Sequence, residues 1–182
     1  MMPILSYYFS DMKRTLWVER KFTFDFPEGW IFNILERLRG TTPRILDITN
    51  YLTDDHLSYQ MDNKWSIKEH IGHLYDLEFL HIKRIQQIKN SLPELTGADM
   101  SNQLTNESKH NDQTVENLIN SFNEKRLAFL AEFENLSDDD QYFKSLHPRL
   151  RIFMRPVDLA YFTAEHDDHH LRSMRALVPG GL

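Results

Sequence analysis

The chain has 182 residues, no cysteine, 21 basic against 27 acidic side chains and a formal charge of -6. That length suits one domain with a sizeable core. The basic residues are scattered among acids and never form a stripe, which excludes an electrostatic nucleic-acid surface. Without cysteine, a metal site must be built from histidine and carboxylate, and a nucleophile must be water, a hydroxyl or a thiol carried in by a substrate.

The first residues, MMPILSYYFSDMKRTLW, lack a charged segment followed by an apolar one, and no apolar run approaches the roughly 18 residues of a membrane span. The expectation is a cytoplasmic protein with no membrane partner. Residues 1–26 keep neither a period of 2 nor one of 3.6, yet Tyr7, Tyr8, Phe9, Trp17, Phe22, Phe24 and Phe26 are too apolar for a disordered tail. They read as an N-terminal arm packed on the body, and residues 27–182 as a single domain. From Pro27 a helical stripe runs through Ile31, Ile34, Leu35 and Leu38 to Gly40. It restarts at Thr42 as N-cap and Pro43 as first helical residue, continuing through Ile45, Leu46 and Leu52. This segment is either two short helices or one helix kinked near Pro43. The run TDDHLSYQMDNK reads as a loop.

A strong helix is predicted over 66–89, with Ile67, Ile71, Leu74, Leu77, Ile82, Ile85 and Ile88 on its stripe and Ser66 and Glu69 forming a capping box. The next twenty or so residues have no sustained period, longer than the usual helix connection of about 2–8, so they predict a crossover between parallel neighbours. A further helix is predicted over 114–136, with Val115, Leu118, Phe122, Phe129 and Phe133 facing the core. Residues 138–155 connect it to a last helix that Pro156 opens and Pro179 stops. The sum is an all-α four-helix bundle with long crossover connections and an N-terminal arm.

The last helix, AYFTAEHDDHHLRSMRAL, carries three of the nine histidines. His166 and His170 stand one turn apart, only about 40° around the axis, so one cation can be gripped by both. A divalent metal needs at least one more protein ligand and commonly keeps a position open for water or substrate. The helix over 66–89 offers His70, His73 and His81, of which His73, beside Ile71 and Leu74, is best placed to face a bundle interior. Lone helical histidines are also common as surface or hydrogen-bonded core residues. His169 is close enough to His166 to exchange roles with it, whereas His56, His110 and His147 carry no spacing signal. Tyr161, Glu165 and Asp76 stand as candidates to orient imidazoles or move protons, or as ordinary structural residues, and Asp167 shares that ambiguity with Glu165.

WSIKEHIGHLYDLE (65–78) and HPRLRIFMRPVDLAYFTAEHDDHHL (147–171) resemble the DinB/YfiT-like family of small bacterial four-helix bundles. ILERLRGTTPRI and ADMSNQLTNESKHND are similar to one branch of it. The family's metal histidine precedes a leucine eight residues after the tryptophan of a W-S motif, and two more lie in H-x-x-x-H on the last helix. These match His73, His166 and His170, which selects His73 over His70 and His81. The resemblance implies a divalent transition metal, zinc or nickel foremost, held by the three histidines. It also implies a small-molecule substrate and a homodimer. The activity implied is S-transfer with a low-molecular-weight thiol such as bacillithiol or mycothiol, or hydrolysis with activated water. The alternative is a stress-associated bundle that binds a small ligand or a protein, with a structural or absent metal.

Overall fold

The computed structural model describes residues 14–179. Helix α1, Ile31–Arg39, follows a 3-10 turn at Glu28–Trp30, and α2 is Thr41–Thr49. The two meet at Gly40, whose backbone stays near the helical region at φ -69° and ψ -6°, so of the two readings the pair of short helices holds, divided at the glycine where the stripe breaks and not kinked at Pro43. Thr42 is therefore inside α2 and does not cap it; its hydroxyl donates to Asn123 Oδ1 at 3.0 Å. The run read as a loop after Leu52 contains a short helix α3, Asp54–Ser58, capped by the Thr53 side chain.

Helix α4, Ile67–Lys89, opens on the Ser66 and Glu69 capping box that its sequence announces. The long connection that follows holds one more short helix, α5, Gln103–Glu107, and a 3-10 turn at His110–Asp112. Helix α6 is Val115–Glu134, capped by Thr114. A two-stranded hairpin, β1 Ser145–Leu146 and β2 Phe153–Met154, pairs Ser145 with Met154 and Leu146 with Phe153. It leads into α7, Pro156–Arg175, with the proline in its first turn.

Contacts between side chains fix the directions. Glu78 meets Arg126, and Gln86 meets Glu132, so α4 and α6 run parallel, as the crossover demands. Arg37 meets Asp168 and Asp47 meets Arg175, so α1 and α2 run alongside α7 in its own direction. His70 meets His170 while His81 approaches His166, so α4 opposes α7. The bundle is up, down, down, up.

Its apolar core divides in two. One cluster joins Leu38, Ile85, Phe129, Val157 and Ala160. The other joins Ile45, Ile71, Leu118, Phe122 and Met174. Between them each main helix contributes a buried polar residue, Thr41, Glu78, Arg126 and Asp167 in chain order. Of the arm, Trp17, Phe22, Phe24 and Phe26 pack against the first cluster, whereas Tyr7, Tyr8 and Phe9 lie outside the described residues. Among the described residues no helix is long and apolar enough to cross a membrane.

Candidate metal centre

The antiparallel contact of α4 and α7 brings His73, His166 and His170 together. Each offers a ring nitrogen, and the three nitrogens lie within 4.8 Å of one another. His166 Nε2 and His170 Nε2 are 3.1 Å apart. Two nitrogens bound to one tetrahedral ion at about 2.0–2.1 Å stand about 3.3 Å apart, so this spacing needs little adjustment to hold a metal. All three rings are at most 6% exposed. Burial is the main cause that pushes the His73 imidazole down to about 4 and keeps His166 and His170 well below the ordinary value of 6.5. Mutual repulsion of the rings adds to it. The cluster is therefore neutral at physiological pH, the form in which imidazole binds a metal.

Neighbours fix the tautomers. The Thr105 hydroxyl donates to Asp76 Oδ2 at 2.8 Å, so at 3.1 Å it accepts from His73 Nδ1–H and leaves His73 Nε2 as a bare lone pair. The same Asp76 oxygen accepts from His110 Nε2 at 2.9 Å. The crossover connection is thereby latched to α4. Gly72 permits it, because a Cβ there would overlap the His110 ring. His170 Nδ1 lies 2.9 Å from His70 Nδ1, so His70 orients the outer edge of His170 and does not converge with the three. His166 Nδ1 is buried with no hydrogen-bond partner among the described residues. With a lone pair at Nε2 it carries the ring's proton, a free donor beside the cluster.

Of the other residues singled out in the sequence, Asp76 joins the His73 relay. Glu165 does not orient an imidazole, because it accepts from Arg20 and Arg37 on the arm-facing side of α7. Tyr161 packs its ring on Phe26 at 5.1 Å and pairs with the same Glu165 and Arg37, so it also stands apart from the cluster. Asp167 is wholly buried against Arg126 and Thr41. His169 meets Arg14. No spacing signal marks His110 or His147, yet both are buried at the site's edges. Only the fold brings those loops back to α4.

Two tryptophans close the flanks. Trp65 lies 4.6 Å from the His73 ring and stacks at 6.1 Å on His170, and Trp17 of the arm meets the His166 ring edge at 4.9 Å. On the Trp17 side is a cavity of about 290 Å³ lined by Leu77, His81, Arg84, His147, Phe162 and His166 among others. Glu78 Oε1 lies 3.4 Å from His81 Nδ1 and accepts its proton. In the neutral ring the lone pair of His81 is then at Nε2. A larger cavity of about 430 Å³, between Ile31 and Phe133 at the far end of the bundle, has no unpaired buried polar group on its wall.

The sequence profile of the DinB superfamily matches residues 37–174, a span that carries all three histidines. The chain belongs to the DinB superfamily. Among solved structures it is similar to YfiT from Bacillus subtilis, described as a probable metal-dependent hydrolase with an unusual four-helix bundle topology. The two share a TM-score of 0.74 at 15% identity, over 88% of this chain and 93% of that one. At that identity the likeness shows the fold alone. No curated protein matches.

Proposed function

We propose that this DinB protein is a metal-dependent enzyme, with His73, His166 and His170 holding one divalent transition metal, zinc or nickel. The observation that carries the reading is the convergence of three neutral imidazole nitrogens, with no fourth protein ligand beside them among the described residues. Closed structural sites generally have four protein ligands, whereas catalytic sites keep a position for water or substrate. A metal there would lower the pKa of a bound water or thiol and stabilise developing negative charge. The description of YfiT as a probable metal-dependent hydrolase points the same way.

The chain's own residues supply the rest. Thr105 and Asp76 hold the His73 ring, and His70 holds the His170 ring, so two of the three ligand edges are fixed before a metal arrives. Trp17 and Trp65 exclude bulk water from the rings' flanks. His81, with its proton kept at Nδ1 by Glu78, offers Nε2 to take a proton from a water or a thiol in the cavity. Hydrolysis and thiol S-transfer both use this arrangement. With no cysteine in the chain, a thiol nucleophile would come from a low-molecular-weight partner.

The test is elemental analysis of untagged full-length protein beside His73→Ala and His170→Ala. One metal per chain in the wild type, absent from both variants while each keeps its helical circular dichroism, is the expected result. A wild type that takes up neither zinc nor nickel on reconstitution would overturn the reading. Following ester cleavage and thiol conjugation on the loaded protein then separates hydrolysis from S-transfer.

A further inference from the structure

The cavity beside His166 has an unusual wall. Arg84 on α4 is 2% exposed, and its Nε donates to Thr96 O at 2.9 Å, but its Nη2 has no partner among the described residues. Arg149, from the turn of the hairpin, is half-buried, with Nη1 donating to Val18 O at 3.5 Å and a buried Nη2 without a partner among the described residues. Neither guanidinium meets a carboxylate among the described residues, although the two cationic side chains buried as deeply as Arg84 do: Arg126 has Glu78 and Asp167, and Lys68 has Asp54. An unpaired charge is costly to bury, so a fold that buries Arg84 without a carboxylate and sets the half-buried Arg149 beside it at one cavity is arranged for something that arrives from outside.

His147 adds a third donor. The Leu150 N–H donates to its Nδ1 at 3.2 Å, which places the ring proton on Nε2, and Nε2 is buried with no acceptor. Burial pushes this imidazole down to about 3, helped by the adjacent Arg84 and Arg149 charges, so it stays neutral and donates a single proton. His166 Nδ1 is the fourth unpaired atom on the same wall. The remaining surface is apolar, from Leu77, Leu80, Met100 and Phe162. Donors without acceptors, gathered at one side of an apolar cavity, specify an anionic head on an apolar body. A carboxylate suits these donors, because its two oxygens can accept from the open Nη2 of each guanidinium and from His147 Nε2 together.

We infer that this cavity is the substrate pocket and that it takes a small carboxylate, its head held by Arg84, Arg149 and His147 and its apolar body laid along Phe162 and Leu77 toward His166. At about 290 Å³ the space admits one small molecule. The word substrate rests on the metal reading above, while the binding of the carboxylate does not. The substrate class would be esters, amides or electrophiles that carry a carboxylate beside the reacting group.

The probes are acetate, hexanoate and benzoate, each paired with its neutral amide and titrated calorimetrically into full-length protein, once metal-free and once zinc-loaded. The inference expects hexanoate or benzoate to bind about tenfold or more tightly than its amide in both forms, as charge-assisted hydrogen bonds imply. Arg84→Met and Arg149→Met should each weaken that binding by about tenfold. Both variants should fold, since removing either guanidinium strands no acidic partner. A carboxylate that binds no better than its amide, that binds only when zinc is present, or that is indifferent to both substitutions overturns the inference. Failure of the metal reading looks different: carboxylates still bind, but neither zinc nor nickel does.

Discussion

Two buried polar regions share helices α4 and α7 of the bundle and are built on opposite plans. In the mid-bundle layer, Arg126 donates to Glu78 Oε1 at 2.7 Å and to Asp167 Oδ1 at 3.1 Å, and Asp167 also accepts from Thr41 at 2.7 Å. Charge is answered by charge within the chain, and only Glu78 Oε2 is left over. A turn or two away, the histidine cluster and its cavity leave ring nitrogens and guanidinium donors unanswered at His147, His166, Arg84 and Arg149. A satisfied network specifies which helices lie side by side. An unsatisfied one specifies what must come in. Burial alone therefore does not mark the functional region; the direction in which its hydrogen bonds remain open does.

Acid should separate the two regions most strongly. The folded His73 is held at about 4, and His166 and His170 lie well below 6.5, so below that value the unfolded chain binds more protons than the folded one. The stability that these neutral rings contribute is complete above about pH 6.5 and is lost as the pH falls toward their folded values. At about 1.4 kcal/mol per pH unit, His73 alone removes about 2 kcal/mol by pH 5, and His166 and His170 add to that loss. Glu78 moves the other way. Its burial favours the protonated acid, but Arg126 and His81 outweigh it and leave its pKa lowered, so the ion-pair layer survives to lower pH. Urea midpoints of metal-free protein should drop steeply from pH 7 to pH 5, and His73→Leu should flatten that slope by about one proton. A flat wild-type profile would mean that the rings are solvated.

Arg126→Met attacks the satisfied region instead. It leaves Glu78 and Asp167 as buried carboxylates without a cation, for which a loss of about 3–5 kcal/mol is expected. Adding Glu78→Gln and Asp167→Asn in the same chain should recover much of it, because the penalty lies in the stranded charges. If the single variant costs under 1 kcal/mol by urea denaturation, water reaches the layer and the contrast between the two regions is lost.

Much of this architecture is legible in the sequence, and the unread parts share a cause. Apolar stripes at helical spacing announce α4, α6 and α7, and Ser66 with Glu69 and Pro156 mark where two of them start. Such signals are local. His166 and His170 are also local, one turn apart on a single helix. Thr105, His110, His147 and Arg149 sit in connections whose pattern says nothing about where they return. Each matters only because α5, the 3-10 turn after it, or the hairpin brings it back to α4 or α7 across tens of residues. Arg84 was within reach: His73, Leu77, His81 and Arg84 recur every three or four residues along one face of α4, so a line drawn from the ligand histidine leads to it. The Glu165 and Tyr161 assignments went astray because neighbours of ligands in sequence project from other faces of the helix.

The smallest expected effect tests how the long connection reaches the proposed metal site. Thr105 sits between His73 and Asp76, accepting from one at 3.1 Å and donating to the other at 2.8 Å. Thr105→Val keeps the volume and removes the relay. Asp76 retains its bond from His110, so the connection stays latched and the fold should lose only about 1 kcal/mol. His73 Nδ1–H, however, loses its acceptor, and the ring is free to turn or to move its proton to the nitrogen that faces the other histidines. Partners of this kind are typically worth 10–100-fold in metal affinity, so zinc binding should weaken by about tenfold at its lower bound while stability barely moves. If zinc titrations of wild type and Thr105→Val superimpose, the crossover connection only covers α4 and has no part in holding the ligand. If affinity falls with the midpoint unchanged, the connection that looked least structured in the sequence is what keeps His73 in its ligand tautomer.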